Sequence, residues 1–297
     1  MKGELTKYKR KCKINYDKIQ FLSKIFKKKE IMELINKAEE NDIQYKVVNN
    51  INIILFDEIK SGFIIVSAAL VSYMLSTKGE KHWKILEEYV GIYRSKDVRE
   101  IITLFVKNSP SLRLYRNNRI KRMERIINNF YPLYLKKYNI YKNNFQELRK
   151  DLSSILKTSK DSKTIVFSLK MFYYHLKVLG EKTEIPRDIP IPVDYRITLI
   201  SLLNNLIILD DAFPSIRDKA LIARKYCSEE IREAWQKIAN ITSISPLKLD
   251  TLLWVLGRCI DPKVERKKEC IERIIATKLS MNQIKALEKI LGIKMIK

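Results

Sequence analysis

Along most of the chain, apolar residues recur at the three- and four-residue spacing of a helix with one buried face. The clearest stretch starts at Ser162, after which Ile165, Leu169, Phe172 and Leu176 follow at that spacing. On the opposite stripe Lys163, Phe167, Lys170 and Tyr174 repeat it, an unusual set either to bury or to leave in solvent. The same pattern predicts helices over about 15–28 and 29–41, and alternating amphipathic helix and polar turn over 90–156. It also predicts one helix around Trp235 within an otherwise polar link over 210–245, and a last helix carrying Ile284, Leu287, Ile290 and Leu291. Residues 62–75 form the longest apolar run, too short for a bilayer span and suited to a core helix. Only 47–56 breaks the pattern: Val47, Val48, Ile51, Ile53 and Ile54 are β-branched and predict one short extended segment. The fold class expected is all-α.

Two stretches carry helix-start signals. Pro190 and Pro192 hold 189–193 extended, and each disfavours helix in the residue before it. Asp194 then reads as the N-cap of an apolar helix from Tyr195 to about Leu209. Ser245 followed by Pro246 reads as a cap with proline at the first helical position, and places Asp250 and Trp254 one turn apart on one face.

Charge narrows the function. The 58 basic and 34 acidic residues leave +24, with an isoelectric point of about 9.7, the footprint of a polyanion binder and most commonly of a nucleic-acid binder. Basic runs lie at 7–13 and 27–29, and the stretch 113–125 holds Arg113, Arg116, Arg119, Lys121, Arg122 and Arg125 as a candidate phosphate-contacting surface. Such runs also serve as solubilising faces. Four cysteines, Cys12, Cys227, Cys259 and Cys270, show no Cys-x-x-Cys and no zinc spacing, and are expected to be reduced thiols in an intracellular protein. The N-terminus is too charged for a signal peptide.

The candidate chemistry sits on the stripe of the Ser162 helix. Ser162 reads as an N-cap, which puts Lys163 in the first turn, where the helix end is partially positive. Lys160 and Lys170 add to that field, and both effects favour the neutral amine, the form that attacks carbon. Asp194 at its own helix start accepts backbone N–H groups and stays ionised. A neutral amine and a fixed carboxylate suit a reaction through a cationic intermediate. Each residue alone also fits a plainer role, a solvated charge for Lys163 and a simple cap for Asp194.

These residues carry a resemblance. Lys-Thr-Ile-Val-Phe from Lys163 with Lys170 beyond it, then Asp-Ile-Pro-Ile-Pro-Val-Asp-Tyr-Arg ending at Arg196, are similar to the archaeal 8-oxoguanine DNA glycosylases, the AGOG branch of the helix-hairpin-helix glycosylase superfamily. Ile-Gln-Tyr at 43–45, the stretches 69–73 and 78–83, and Leu-Asp-Thr-Leu-Leu-Trp at 249–254 agree in the same order. The resemblance implies a helix-hairpin-helix glycosylase-like fold of two helical subdomains flanking a cleft. One is formed by both chain ends, 1–85 and 190–297, and the other, 86–189, carries the lysine-bearing helix. It implies a bifunctional DNA glycosylase and AP lyase excising 8-oxoguanine in base excision repair, with Lys163 and Asp194 catalytic. Phe167 and Trp254 would sandwich the flipped base, and Gln44, Trp83, Lys170, Pro192 and Asp250 would contact it. The expected partner is DNA containing 8-oxoguanine, with no membrane, metal or cofactor, and the protein a monomer in the cytoplasm at the nucleoid. One departure stands out, the segment between Tyr45 and Ala69. The hairpin turn at 157–161 lacks the glycine common in other branches, which fits the archaeal branch and argues against the ordinary ones. The four cysteines cannot supply the iron–sulfur cluster that some superfamily members hold. Without the resemblance, a non-catalytic basic nucleic-acid-binding protein fits the charge, and so does a partner-binding scaffold.

Overall fold

The structure, a computed structural model, describes residues 12–209, 213–261 and 264–295. The part of the basic run before Cys12 lies outside these, as do 210–212 of the expected polar link and 262–263 and 296–297 of the C-terminal stretch. Helices dominate, and their packing divides the chain into two compact units: Ile43–Pro186, and a unit of the two chain ends, Met1–Asp42 with Arg187–Lys297. Among the described residues no helix is long and apolar enough to cross a membrane.

The Ile43–Pro186 unit is built on the Lys163–Val178 helix, which packs against the Glu58–Val71 and Ile43–Leu55 helices. Ile165, Leu169, Phe172 and Leu176 are all fully buried, as their spacing predicts. The Glu58–Val71 helix is buried on every side from Ser61 to Val71. Gly62 permits its close approach, because a Cβ there would lie 2.2 Å from Tyr134 Oη and 2.8 Å from His175 Nε2. This packing moves the boundary from the expected 85 to 42: residues 43–85 belong with the helices they are buried against, and the unit formed by the chain ends is smaller by that segment.

The stretch 47–56 is not extended; Ile43–Leu55 is an α-helix. Gln44, Val47, Val48 and Ile51 are its buried residues, a helical face, while Ile53 is 53% exposed. Burial against the Gly79–Tyr93 and Lys163–Val178 helices outweighs the β-propensity of the branched side chains. The chain turns at Phe56, with φ 48°, before Asp57 caps the next helix.

In the unit of the chain ends, Tyr16–Phe26 and Lys29–Glu40 match the two helices expected there. Trp235 is fully buried on the Ser228–Thr242 helix and donates its indole N–H to Ser201 Oγ at 2.9 Å. A second helix, Ile216–Tyr226, precedes it where only polar link was expected. The helix capped by Asp194 stops at Leu203 rather than near Leu209. Asn204 ends it by accepting from Leu206 N at 3.0 Å, and Asn205 takes φ 57°. Ile207–Leu209 then pairs antiparallel with Cys12–Ile14.

The cysteines depart from expectation most. Cys12 is bonded to Cys227 and Cys259 to Cys270, each pair with Cα atoms 5.8 Å apart. The first pair is 215 residues apart in sequence, a separation that no local motif reveals, and it ties the short strand to the start of the Ser228–Thr242 helix. Disulfides are rare in reducing compartments outside hyperthermophiles, so the cysteines lend no support to an intracellular location. In the chain-entropy account, closing a loop of that length contributes about 5 kcal/mol, against about 3 kcal/mol for the short Cys259–Cys270 loop. Cys12→Ser is therefore expected to lower the melting temperature by roughly 10 °C and Cys259→Ser by less. Scanning calorimetry of the two variants without reductant checks the order, and equal melting of both with wild type would show that neither bridge contributes.

Candidate active site

The turn before Lys163 is shaped without glycine. Lys157, just past the Phe145–Leu156 helix, adopts the left-handed conformation (φ 51°) that glycine usually supplies. Lys157 N and Thr158 N donate to the carbonyls of Ser154 and Ser153 at 3.2 and 3.1 Å, closing the helix end. Ser153 Oγ donates to Thr158 O at 2.6 Å, and Arg149 grips the far side through Lys160 O and the Asp161 carboxylate. Five side-chain and backbone bonds thus replace the missing conformational freedom. Ser162 holds the N-cap position with an extended backbone, but its buried hydroxyl makes no capping bond, contrary to expectation. What fixes the first turn is Arg122, which donates to Thr164 Oγ1 at 3.2 Å and Leu70 O at 2.8 Å.

Lys163 is the first residue of the helix and is exposed. Down the same stripe burial deepens, from half-buried Phe167 to Lys170 at 1% exposure and Tyr174 at 0%. Phe167 meets the buried Trp83 edge to face, with ring centroids 6.0 Å apart. The Lys170 ammonium lies 5.5 Å from the Tyr174 ring, which in turn meets Tyr45 at 5.3 Å. Gln44 is 2% exposed in the first turn of the Ile43–Leu55 helix. This unit therefore holds five of the nine residues singled out in the sequence, on three helices of which Ile43–Leu55 packs against both of the others.

The other four lie in the unit of the chain ends. Ile189, Ile191, Pro192 and Val193 are buried and anchor the proline strap. Asp194 caps the Tyr195–Leu203 helix as predicted, its Oδ1 accepting from Ile197 N at 3.0 Å while Thr198 Oγ1 donates to its carbonyl at 2.7 Å. The carboxylate is held in place and stays half-exposed. Ser245 caps the Pro246–Leu256 helix through a bond from Leu247 N, and Pro246 stands at its start. Asp250 is buried (3% exposed) rather than a surface carboxylate, and Trp254, one turn on, is half-buried.

The arginine run is split by burial. Arg119 is fully buried and donates to the carbonyls of Val71, Tyr73, Met74 and Leu112. With Arg122 it satisfies carbonyls at the C-terminal end of the Glu58–Val71 helix, which lack partners in their own helix. Of the six basic residues only Arg113, Lys121 and Arg125 are exposed to meet a phosphate. The four-residue step from Arg119 to buried Met123 was the available signal for this.

Both histidines of the chain, His82 and His175, are buried, and desolvation pushes each to about 3, with Arg119 and Lys142 respectively adding to the effect. They are neutral at physiological pH and unsuited to general acid–base work. Among the described residues no group of His, Cys, Asp and Glu converges as a metal would require. An exposed primary amine, Lys163, stands at one helix start and a held, half-exposed carboxylate, Asp194, at another.

The sequence profile of the AGOG family, described as N-glycosylase/DNA lyase, matches residues 23–289. The N-glycosylase/DNA lyase of Pyrobaculum aerophilum is 31% identical over 233 residues, covering 77% of this chain and 82% of the relative. That of Methanopyrus kandleri is 31% identical over 240 residues, covering 80% and 88%. A crystal structure of the 8-oxoguanine DNA glycosylase from Pyrobaculum aerophilum, complexed with 8-oxoguanosine, superposes with a TM-score of 0.70 at 25% identity. It covers 90% of this chain and 98% of the other.

Proposed function

The chain belongs to the AGOG family of N-glycosylase/DNA lyases, and from that premise we propose that it excises 8-oxoguanine from DNA and nicks the strand through a lysine Schiff base. In this reading Lys163 Nζ attacks C1′ of the flipped nucleotide and the N-glycosidic bond breaks, its electron pair leaving with the base. Asp194 stabilises the positive charge that grows on the sugar as that bond lengthens. Opening of the sugar ring gives an imine between Lys163 and C1′. Loss of a proton from C2′ then expels the 3′ phosphate by β-elimination. Phe167 and Trp254 stack on the base; Gln44, Trp83, Lys170, Pro192 and Asp250 contact it. The protein works as a monomer inside the cell, at the DNA of the nucleoid.

The observation that carries this reading is the position of Lys163: an exposed amine on the first turn of a hairpin helix, in a chain whose histidines are neutral and whose thiols are bonded. The experiment is incubation with a duplex bearing one 8-oxoguanine, assayed for free base and for strand scission. Release of base with scission at the lesion is expected; neither product would leave a basic binding protein.

Salt dependence tests the phosphate part. If about six phosphates are neutralised, affinity for undamaged duplex should fall about a thousandfold between 50 and 200 mM salt. Titration by fluorescence anisotropy measures it, and a flat response would remove phosphate contacts from the account.

A further inference from the structure

We infer that Arg196 is a positioning residue for Trp254, locking the indole in the orientation from which it stacks on the base; this rests on the stacking role proposed above. Arg196 is the second residue of the Tyr195–Leu203 helix, two positions beyond Asp194. A cation is disfavoured at a helix N-terminus, and Arg196 relieves this by turning to the other helix of the pair. Its Nη1 donates to Trp254 O at 3.0 Å, and its guanidinium carbon lies 4.7 Å from the centroid of the Trp254 ring.

The two contacts act on one residue in two ways. Trp254 lies in the last turn of the Pro246–Leu256 helix, where carbonyls lack intrahelical donors and the helix dipole welcomes a cation. The hydrogen bond fixes that backbone, and the flat guanidinium covers one face of the half-buried ring. Stacking with a base is left to the other face. Arginine suits this because one planar group both donates in a fixed direction and stacks, which an ammonium cannot do. The stem runs beside Gly257, where an added Cβ would meet Arg196 Cδ at 3.4 Å and its Cβ at 3.5 Å, ordinary contact distances. One short helix end thus carries both the carboxylate and the clamp on the tryptophan.

The test uses full-length Arg196→Lys, Arg196→Met and Trp254→Ala variants, each in a Lys163→Gln background so that no strand is cut. The readout is lesion preference, the ratio of affinities for a duplex with one 8-oxoguanine and for the same duplex undamaged. Arg196→Lys keeps the charge, so undamaged-duplex affinity should stay within about twofold of the parent. Its lesion preference should fall about tenfold, the size of a partly desolvated cation–π contact, and Arg196→Met should lose at least as much. Added to Trp254→Ala, Arg196→Met should cause no further loss, because the clamp then holds nothing. A merely structural arginine would lower both affinities together and leave the ratio unmoved. The inference is overturned if both arginine variants keep the parent preference, or if Arg196→Met costs the same with and without Trp254. Full preference in Trp254→Ala itself would instead remove the stacking role, and the inference with it, without reference to Arg196.

Discussion

Asp194→Asn is expected to fold normally and to release 8-oxoguanine about a thousandfold more slowly than wild type. The substitution keeps Oδ1, and Asn caps a helix as well as Asp, so the 3.0 Å bond from Ile197 N survives. Only the charge is lost. A carboxylate about 4 Å from a developing unit charge, at an effective dielectric near 20, contributes about 4 kcal/mol, which is roughly three decades of rate. Asp194→Ala removes the cap as well and should cost about 1 kcal/mol of stability in addition. Single-turnover base release, read beside the melting temperature, separates the two effects. A folded Asn variant with a near-normal rate would reduce Asp194 to a helix cap.

How much of this was legible in the sequence depends on the range of the interaction involved. The Lys163–Val178 helix was readable because its packing face repeats within one element: Ile165, Leu169, Phe172 and Leu176 needed no partner to declare themselves. Asp194 and Ser245 were readable as caps because the bonds they make span only two or three residues. Ser162 shows the limit of that logic: its residue type and backbone fit a cap, yet its hydroxyl makes no capping bond. The helix at Ile43–Leu55 was misread because five β-branched residues favour a strand locally, and only burial against two other helices decides otherwise. The boundary at residue 42 rests on the same long-range burial. The Cys12–Cys227 bridge and the two short strands join residues far apart in the chain, which periodicity cannot see. Arg119 was counted with a surface run although it serves four carbonyls in the interior.

The site was more legible than its supports. The residues expected to touch the base came from the family resemblance, and two of them, Phe167 and Trp83, are in ring contact. The groups that orient them, Arg122 on the first turn of the lysine helix and Arg196 on the tryptophan, act across sequence gaps of 42 and 58 residues. Nothing near Arg122 in the sequence announces its role, and Arg196 was visible only as the end of a shared motif.

The central claim is that Lys163 becomes covalently joined to DNA during turnover. The nucleophile must be an amine that reaches C1′, and two lysines share the stripe. Lys163 is exposed at the helix start, whereas Lys170 is 1% exposed, seven residues into the helix, its ammonium beside the Tyr174 ring. An amine enclosed in that way is placed to contact a base rather than to travel to a sugar carbon. An imine with C1′ is reducible, so borohydride added during turnover on a duplex with one 8-oxoguanine fixes a stable protein–DNA adduct, separable on a denaturing gel. A glycosylase that uses water as nucleophile gives none. The account predicts an adduct with wild type and with Lys170→Gln, the latter formed more slowly because recognition is weakened. With Lys163→Gln it predicts no adduct and no strand scission, while lesion binding persists. An adduct that survives in Lys163→Gln and disappears in Lys170→Gln would contradict it.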